Sequence, residues 1–203
     1  MDDLAEKKQA IFESLLDLIK EHGFHGAPMS QVARNAGVAA GTIYHYFESK
    51  EQLICELYEY NRARISEVII KALDGGHTYQ EKFFRLWTEL YRFYTRHTNV
   101  LTFFEQYINS PYNTGGYPRH DRGPLYEFFS GGIRDGVFQS VAPEMLMVLV
   151  FGTINATAKL HVYGELPIGR AQLEKIAAMM WKGVSAESDS DKKTNTNKPL
   201  RTR

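Results

Sequence analysis

Ile11, Phe12, Leu15, Leu16, Leu18 and Ile19 recur at three- and four-residue steps with polar residues between them, so they line one face of a helix that begins near residue 3. Gly23 ends it, because glycine accepts the left-handed backbone of a helix C-terminus, and Phe24 is placed to pack back on the last turn. Pro28 forbids continuation. Ser30 is then a good N-cap for a short second helix reaching about residue 36, and a third short helix over 40–47 follows Gly37.

Ser49, Lys50, Glu51 and Gln52 form a capping box, with Ser49 as N-cap and Gln52 reaching back. Leu53, Ile54, Leu57, Tyr58, Ile65, Val68, Ile69 and Ala72 extend it into one long amphipathic helix that Gly75 and Gly76 end. Helices are predicted over 79–97, 99–109, 125–135, 143–163 and 169–183, with Pro143 and Pro167 at starts and a loop over 111–124. Residues 186–203 are polar and poor in apolar side chains, which predicts a disordered tail. No strand-like alternation of useful length occurs, so the fold class is all-α.

Composition narrows this picture. A 203-residue chain with 43% hydrophobic residues can bury a core. Its longest apolar run, 145–151, is far below the roughly 20 residues that span a bilayer, and its first residues are acidic rather than basic. The expectation is a cytoplasmic protein with no membrane partner. Cys55 is the only cysteine, which excludes an intrachain disulfide and a thiolate zinc cluster. His22 and His25 flank Gly23 without a third ligand nearby in sequence, so no metal and no cofactor is expected.

The 24 basic and 24 acidic residues cancel, so no global field announces nucleic acid. Locally, residues 29–50 carry only Arg34, Glu48 and Lys50, while residues 1–21 lean acidic. Any case for DNA therefore rests on geometry. Short helix, glycine turn, short helix is the helix-turn-helix unit, whose second helix enters the major groove. Val32, Ala36, Val38 and Ile43 can pack inward, and small Ala33 lets the helices approach. Ala39, Ala40 and Gly41 leave the leading end of the third helix thin, so backbone can come close to a duplex. Thr42, Tyr44 and His45 supply groups for phosphates or base edges, and Lys50 opens the next helix, where an ammonium and free N–H groups can hold a phosphate.

Residues 10–60, above all SQVARNAGVAAGTIYHYFESKEQL, resemble the DNA-binding domain of the tetracycline-repressor-like (TetR/AcrR) family. The resemblance implies a homodimeric one-component regulator, usually a repressor, with a DNA-binding domain over 1–48 and a helical effector-binding and dimerisation domain over 49–185. By matching positions, Ala40, Gly41, Thr42 and His45 face bases, while Ser30, Tyr44 and Lys50 hold phosphates of double-stranded operator DNA. The family commonly bears a capping hydroxyl where this chain has Ala39. Loss of such a cap costs on the order of 1 kcal/mol.

Trp87, Tyr91 and Tyr94 share one helix face and, with Thr88, Asn155 or His161 opposite, could line a pocket for a small apolar or aromatic effector; plain core is the alternative. Phe151, Gly152, Asn155, Ala158 and Val162, with Ile176 and Met180, repeat at helical spacing on the pair of helices that commonly forms the family's dimer interface, although an intramolecular core gives the same pattern. A helical enzyme and a protein-interaction module are the rival classes. No G-x-S-x-G, P-loop, H-E-x-x-H or paired-cysteine pattern is present, and no catalytic residue is assigned.

Overall fold

Two left-handed glycines and one proline cut the N-terminal part of the chain into three helices. The computed structural model describes the backbone of residues 2–113, 122–164 and 168–186. Residues 187–203 of the expected tail, the glycine pair at 115–116 and Pro167 lie outside the described residues.

Helix α1 (Asp2–His22) stops at Gly23, which has φ +68° and whose N–H donates to the Ile19 carbonyl at 2.9 Å. Helix α2 (Met29–Asn35) has its cap two residues earlier than its sequence suggests. Pro28 holds the cap position in an extended conformation, and its carbonyl accepts from Gln31 and Val32 at 2.9 and 3.1 Å. The proline ring pre-sets that geometry. Ser30 is therefore an exposed residue inside the first turn and not the N-cap.

The turn after α2 closes in a Schellman arrangement: Val38 N–H donates to Ala33 at 3.0 Å and Gly37 N–H to Arg34 at 3.2 Å. Gly37 sits at φ +69°, and a Cβ there would meet no atom within 4 Å. Backbone conformation, not space, demands glycine at this turn.

Helix α3 (Ala40–Tyr46) leads through Phe47 into α4 (Lys50–Asp74). Ser49 Oγ accepts from the Gln52 N–H at 3.1 Å, as expected of the cap, but the Gln52 side chain reaches one residue further and accepts from Glu48 N–H at 2.6 Å. Helices α5 (Tyr79–Arg96), α6 (Thr98–Ile108), α7 (Pro124–Arg134), α8 (Pro143–Tyr163) and α9 (Arg170–Val184) follow. The fold is all-α; among the described residues the nearest approach to a sheet is an isolated bridge between Phe138 and Ser185.

The described helices sort into two compact units, one of α1–α3, α4 as far as residue 68, α5 from residue 90 and α6, the other of the remainder of α4 and α5 with α7–α9, so α4 and α5 contribute to both. In the first unit α1, α2, α3 and the first half of α4 surround Ile11, Leu15, Ile19, Val32, Ile43 and Phe47, all fully buried, and α6 closes the cluster with Val100 and Phe103. The second unit centres on aromatic rings. Phe138 lies 5.1 Å from Phe129, 5.4 Å from Phe128 and 5.8 Å from Trp181, and Phe83 lies 5.3 Å from Trp181. Burying each such ring contributes about 2–3 kcal/mol, with a further fraction from edge-to-face geometry.

Candidate nucleic-acid interface

One residue anchors the third helix. Ile43 is the buried member of α3, and Phe47 just beyond it is likewise 0% exposed. Phe47 packs 5.7 Å from Phe12 of α1, and the Lys8 ammonium lies 5.2 Å above the Phe47 ring while pairing with Glu56 of α4 at 2.6 Å. Ser14, on the buried face of α1, donates its hydroxyl to the Val32 carbonyl at 3.0 Å and so fixes α2 on α1. Neither Lys8 nor Ser14 stands out in the sequence as part of the site. A hydroxyl at a core position of an otherwise apolar helix face was the available signal for Ser14.

With Ile43 and Phe47 held below and Tyr46 packed against the core, most of α3 faces outward. Ala40, Gly41, Tyr44 and His45 are exposed, and Thr42 is half-buried. Tyr44 leaves 59% of its surface in solvent, whereas its neighbours Tyr46 and Phe47 are partly and fully buried against the core. A large aromatic left exposed on a helix of seven residues has no packing role. A Cβ on Gly41 would meet nothing within 4 Å, so the thin leading end of α3 is not required by the protein's own packing. Ala39 caps α3 through its extended backbone, with no side-chain bond. The B-DNA major groove, about 12 Å wide, admits a helix presented in this way.

Lys50 occupies the first position of α4, but its ammonium donates to the Phe24 carbonyl at 2.5 Å. Burial pulls its pKa below the ordinary lysine value, and the adjacent Glu51 carboxylate opposes that shift. The side chain thus ties the start of α4 to the α1–α2 turn, a contact spanning 26 positions that the sequence does not reveal. An ammonium has three donors, so phosphate contact is compatible with this bond.

The family profile for bacterial regulatory proteins of the tetR family matches residues 11–57, and the tetracyclin repressor-like C-terminal domain matches residues 78–185, more than half the chain. The chain belongs to the tetR family. It is a helix-turn-helix transcriptional regulator. Among its relatives, the fatty acid metabolism regulator protein of Bacillus subtilis (strain 168) is 28% identical over 171 residues, covering 78% of this chain and 85% of the relative. A TetR family transcription regulator from Marinobacter aquaeolei VT8 superposes with a TM-score of 0.84 at 21% identity, over 92% of this chain and 99% of that one. The regulator FadR from Bacillus subtilis, solved with stearoyl-CoA, shares the fold with a TM-score of 0.66 at 20% identity, over 86% and 98%.

The residues considered for effector binding are spread more widely than those of α3. Trp87 is fully buried in the second unit, while Tyr91 and Tyr94 are buried in the first. Burial drives the Tyr94 phenol far above its ordinary pKa. Thr88 and Asn155 are half-buried, His161 is exposed, and the Asn155 Oδ1 is enclosed without a hydrogen-bond partner. Two grooves, of about 520 and 680 Å³, are lined by other residues: Leu73, Tyr79 and Phe128 in the second unit, and His22, Gln106 and Tyr112 in the first.

Of the residues assigned to a dimer interface, Gly152 is exposed and Phe151, Asn155, Val162, Ile176 and Met180 are half-buried, but Ala158 is 0% exposed and belongs to the protomer's own core. The open face of α8 runs one step round the helix, through Met145, Val148, Leu149, Gly152, Leu160 and Tyr163. Leu149 is 52% and Met145 59% exposed.

Proposed function

We propose that the protein is a cytoplasmic homodimeric repressor that holds operator DNA through α3 and releases it when a small organic effector binds. The observation that carries this reading is the division of labour in α3: Ile43 is its buried residue, while Ala40, Gly41, Tyr44 and His45 are exposed and Thr42 is half-buried beside them. Ala40, Gly41, Thr42 and His45 face base edges. Ser30, Tyr44 and Lys50 contact phosphates and set the register. The open apolar face of α8 supports self-association, which places two recognition helices on successive major-groove faces, about 34 Å apart.

Release is a population shift. An effector with higher affinity for a conformation whose recognition helices no longer match that spacing lowers operator affinity by its differential affinity for the two states. The helices α4 and α5 belong to both units and are the natural transmitters. The first effector to try is a fatty-acyl compound, since the Bacillus subtilis relative is a fatty acid metabolism regulator.

The test is fluorescence anisotropy of the protein with labelled duplex from upstream of its own coding sequence, against a scrambled duplex, at two salt concentrations, with and without stearoyl-CoA. Saturable, salt-sensitive binding that prefers the upstream duplex is the expected result. Equal weak binding to both duplexes removes the operator reading for that region.

A further inference from the structure

Among the described residues Arg64, in the middle of α4, has no acidic counter-ion. Its guanidinium lies 5.6 Å from the ring centre of Tyr60 and 5.5 Å from that of Phe93, and no carboxylate among the described residues pairs with it. Its two hydrogen bonds go to neutral acceptors. One runs from Nη1 to Asn61 Oδ1 at 3.1 Å, the other joins Nη2 and His97 Nδ1 at 3.4 Å. Asn61 is fully buried and rigid, because its own Nδ2 donates to the Leu57 carbonyl at 2.9 Å. His97 is held neutral by burial first and by the charges of Arg64 and Arg96 next. Its ring packs 4.8 Å from Phe93. All of these groups lie within the first compact unit.

A clamp whose only task is to pin α4 on α5 is better served by a carboxylate, which neutralises the cation. Here every neighbour instead orients the guanidinium while leaving its charge in place. Two aromatic faces fix its plane, a buried amide fixes one edge, and a neutral imidazole fixes another. A guanidinium has more N–H donors than these two bonds use, and its fork geometry matches the oxygens of a carboxylate or phosphate. Tyr60 and Phe93 are themselves only partly buried, so an apolar chain attached to that oxyanion finds ring surface beside the charge.

We propose that Arg64, oriented by Asn61, His97, Tyr60 and Phe93, is an oxyanion-binding subsite that takes the anionic head of an amphiphilic acid. Its consequence for DNA rests on the effector reading above; the binding itself does not.

The probes are dodecanoate, dodecyl phosphate and, as a neutral chain of equal length, dodecanol, each below its aggregation limit, titrated into the full-length protein by calorimetry and by proton NMR of the His97 ring. The anions are expected to bind at least tenfold more tightly than the alcohol and to raise the His97 pKa as they offset the Arg64 charge. The better of the two anions identifies the head as carboxylate or phosphate. Arg64→Met removes the charge and is expected to abolish the preference for the anions, with circular dichroism unchanged; Asn61→Asp supplies an internal counter-ion, at the cost of the bond to the Leu57 carbonyl, and is expected to abolish it too. Equal affinity for the alcohol in the wild-type chain, or an anion preference that survives Arg64→Met, overturns the proposal. Anion binding at His97 that leaves operator affinity unchanged upholds the subsite and removes the effector reading. Release of DNA by dodecanoate that is intact in Arg64→Met does the reverse.

Discussion

The Lys50 ammonium donates to the Phe24 carbonyl at 2.5 Å, joining the first residue of α4 to the turn between α1 and α2. One side chain therefore serves two purposes, holding the helix-turn-helix on its connecting helix and presenting a positive charge beside the recognition helix. The two are told apart by reading stability and salt dependence on the same variants. Lys50→Met keeps the aliphatic stem and loses both the hydrogen bond and the charge, and is expected to cost on the order of 1–2 kcal/mol in urea unfolding. It is also expected to weaken binding to all duplexes alike and to reduce the salt slope of binding by about one. Lys50→Arg should keep the salt slope near that of the wild type. A Met variant with unchanged salt slope would show that Lys50 is only a tether.

The two glycines of the helix-turn-helix make opposite predictions. Gly37 has φ +69°, so Gly37→Ala forces a left-handed alanine and is expected to destabilise the domain by about 1–2 kcal/mol. Gly41 is helical and open on every side, so Gly41→Ala is expected to leave the melting temperature unchanged or slightly raised, by at most about 1 kcal/mol in stability. If the leading end of α3 lies against a duplex, Gly41→Ala still lowers operator affinity. Thermal melting and anisotropy on the same two variants separate a folding glycine from a binding one.

Tyr44 and His45 differ in what they are expected to read. Tyr44→Phe removes only a hydroxyl from a side chain that is 59% exposed, so stability should hold while affinity for every sequence falls modestly. His45→Ala removes the imidazole proposed to face a base and should change the ranking among operator variants, by about 1–3 kcal/mol at the position it is proposed to contact. A competition assay over a set of single-base operator variants distinguishes the two patterns; identical losses across the set for both variants would refute the assignment.

Helix boundaries were legible wherever a residue's own conformational limits decide them. Gly23 and Gly37 are left-handed in the structure, and α4 ends at Asp74, directly before Gly75. Ser30 misled for the same kind of reason, since two residues upstream Pro28 offers an extended backbone and an accepting carbonyl, and the helix takes that cap first. The exposed face of α3 followed from which residues near Gly37 are apolar. Contacts between distant parts of the chain left no local trace: Lys50 to Phe24, Ser14 to Val32, and Arg64 to His97. Periodicity on α8 gave the helix but not its outward face, because small and apolar residues run nearly all round it.

His97 gives the protein a pH-dependent stability with a definite sign. Burial, followed by the charges of Arg64 on α4 and Arg96 beside it, lowers its folded pKa below the ordinary 6.5. Between the folded value and 6.5 the unfolded chain binds more protons, so stability rises with pH across that window. The contribution is fully present above pH 6.5 and is lost as pH falls through the folded pKa. Melting temperatures of wild type and His97→Gln, compared from pH 7.5 down to pH 5, should diverge only in the acid half, the wild type falling faster. Parallel curves would mean that the imidazole does not titrate differently in the folded state.

Helix α8 is long and apolar enough to cross a membrane by length and composition, yet only 28% of its most apolar stretch is buried. Val148, Leu149 and Leu160 are 49%, 52% and 44% exposed, and Gly152 between them permits close approach of another helix. An apolar stripe of this length on a DNA-binding regulator needs a cover, and a second copy of the same stripe supplies one by two-fold symmetry. Leu149→Glu would then place two carboxylates near each other in the proposed interface, at a position that is 52% exposed and outside the buried core. The expected result is a dissociation constant for self-association raised on the order of 100-fold or more in sedimentation equilibrium, with the melting transition of the monomer preserved. Operator affinity should fall with it, because a single recognition helix loses the second half-site. Ala158→Glu is the contrasting variant: Ala158 is fully buried within the protomer, so it should unfold the second unit rather than split a dimer. Should Leu149→Glu remain dimeric, the stripe is covered by something other than its own copy.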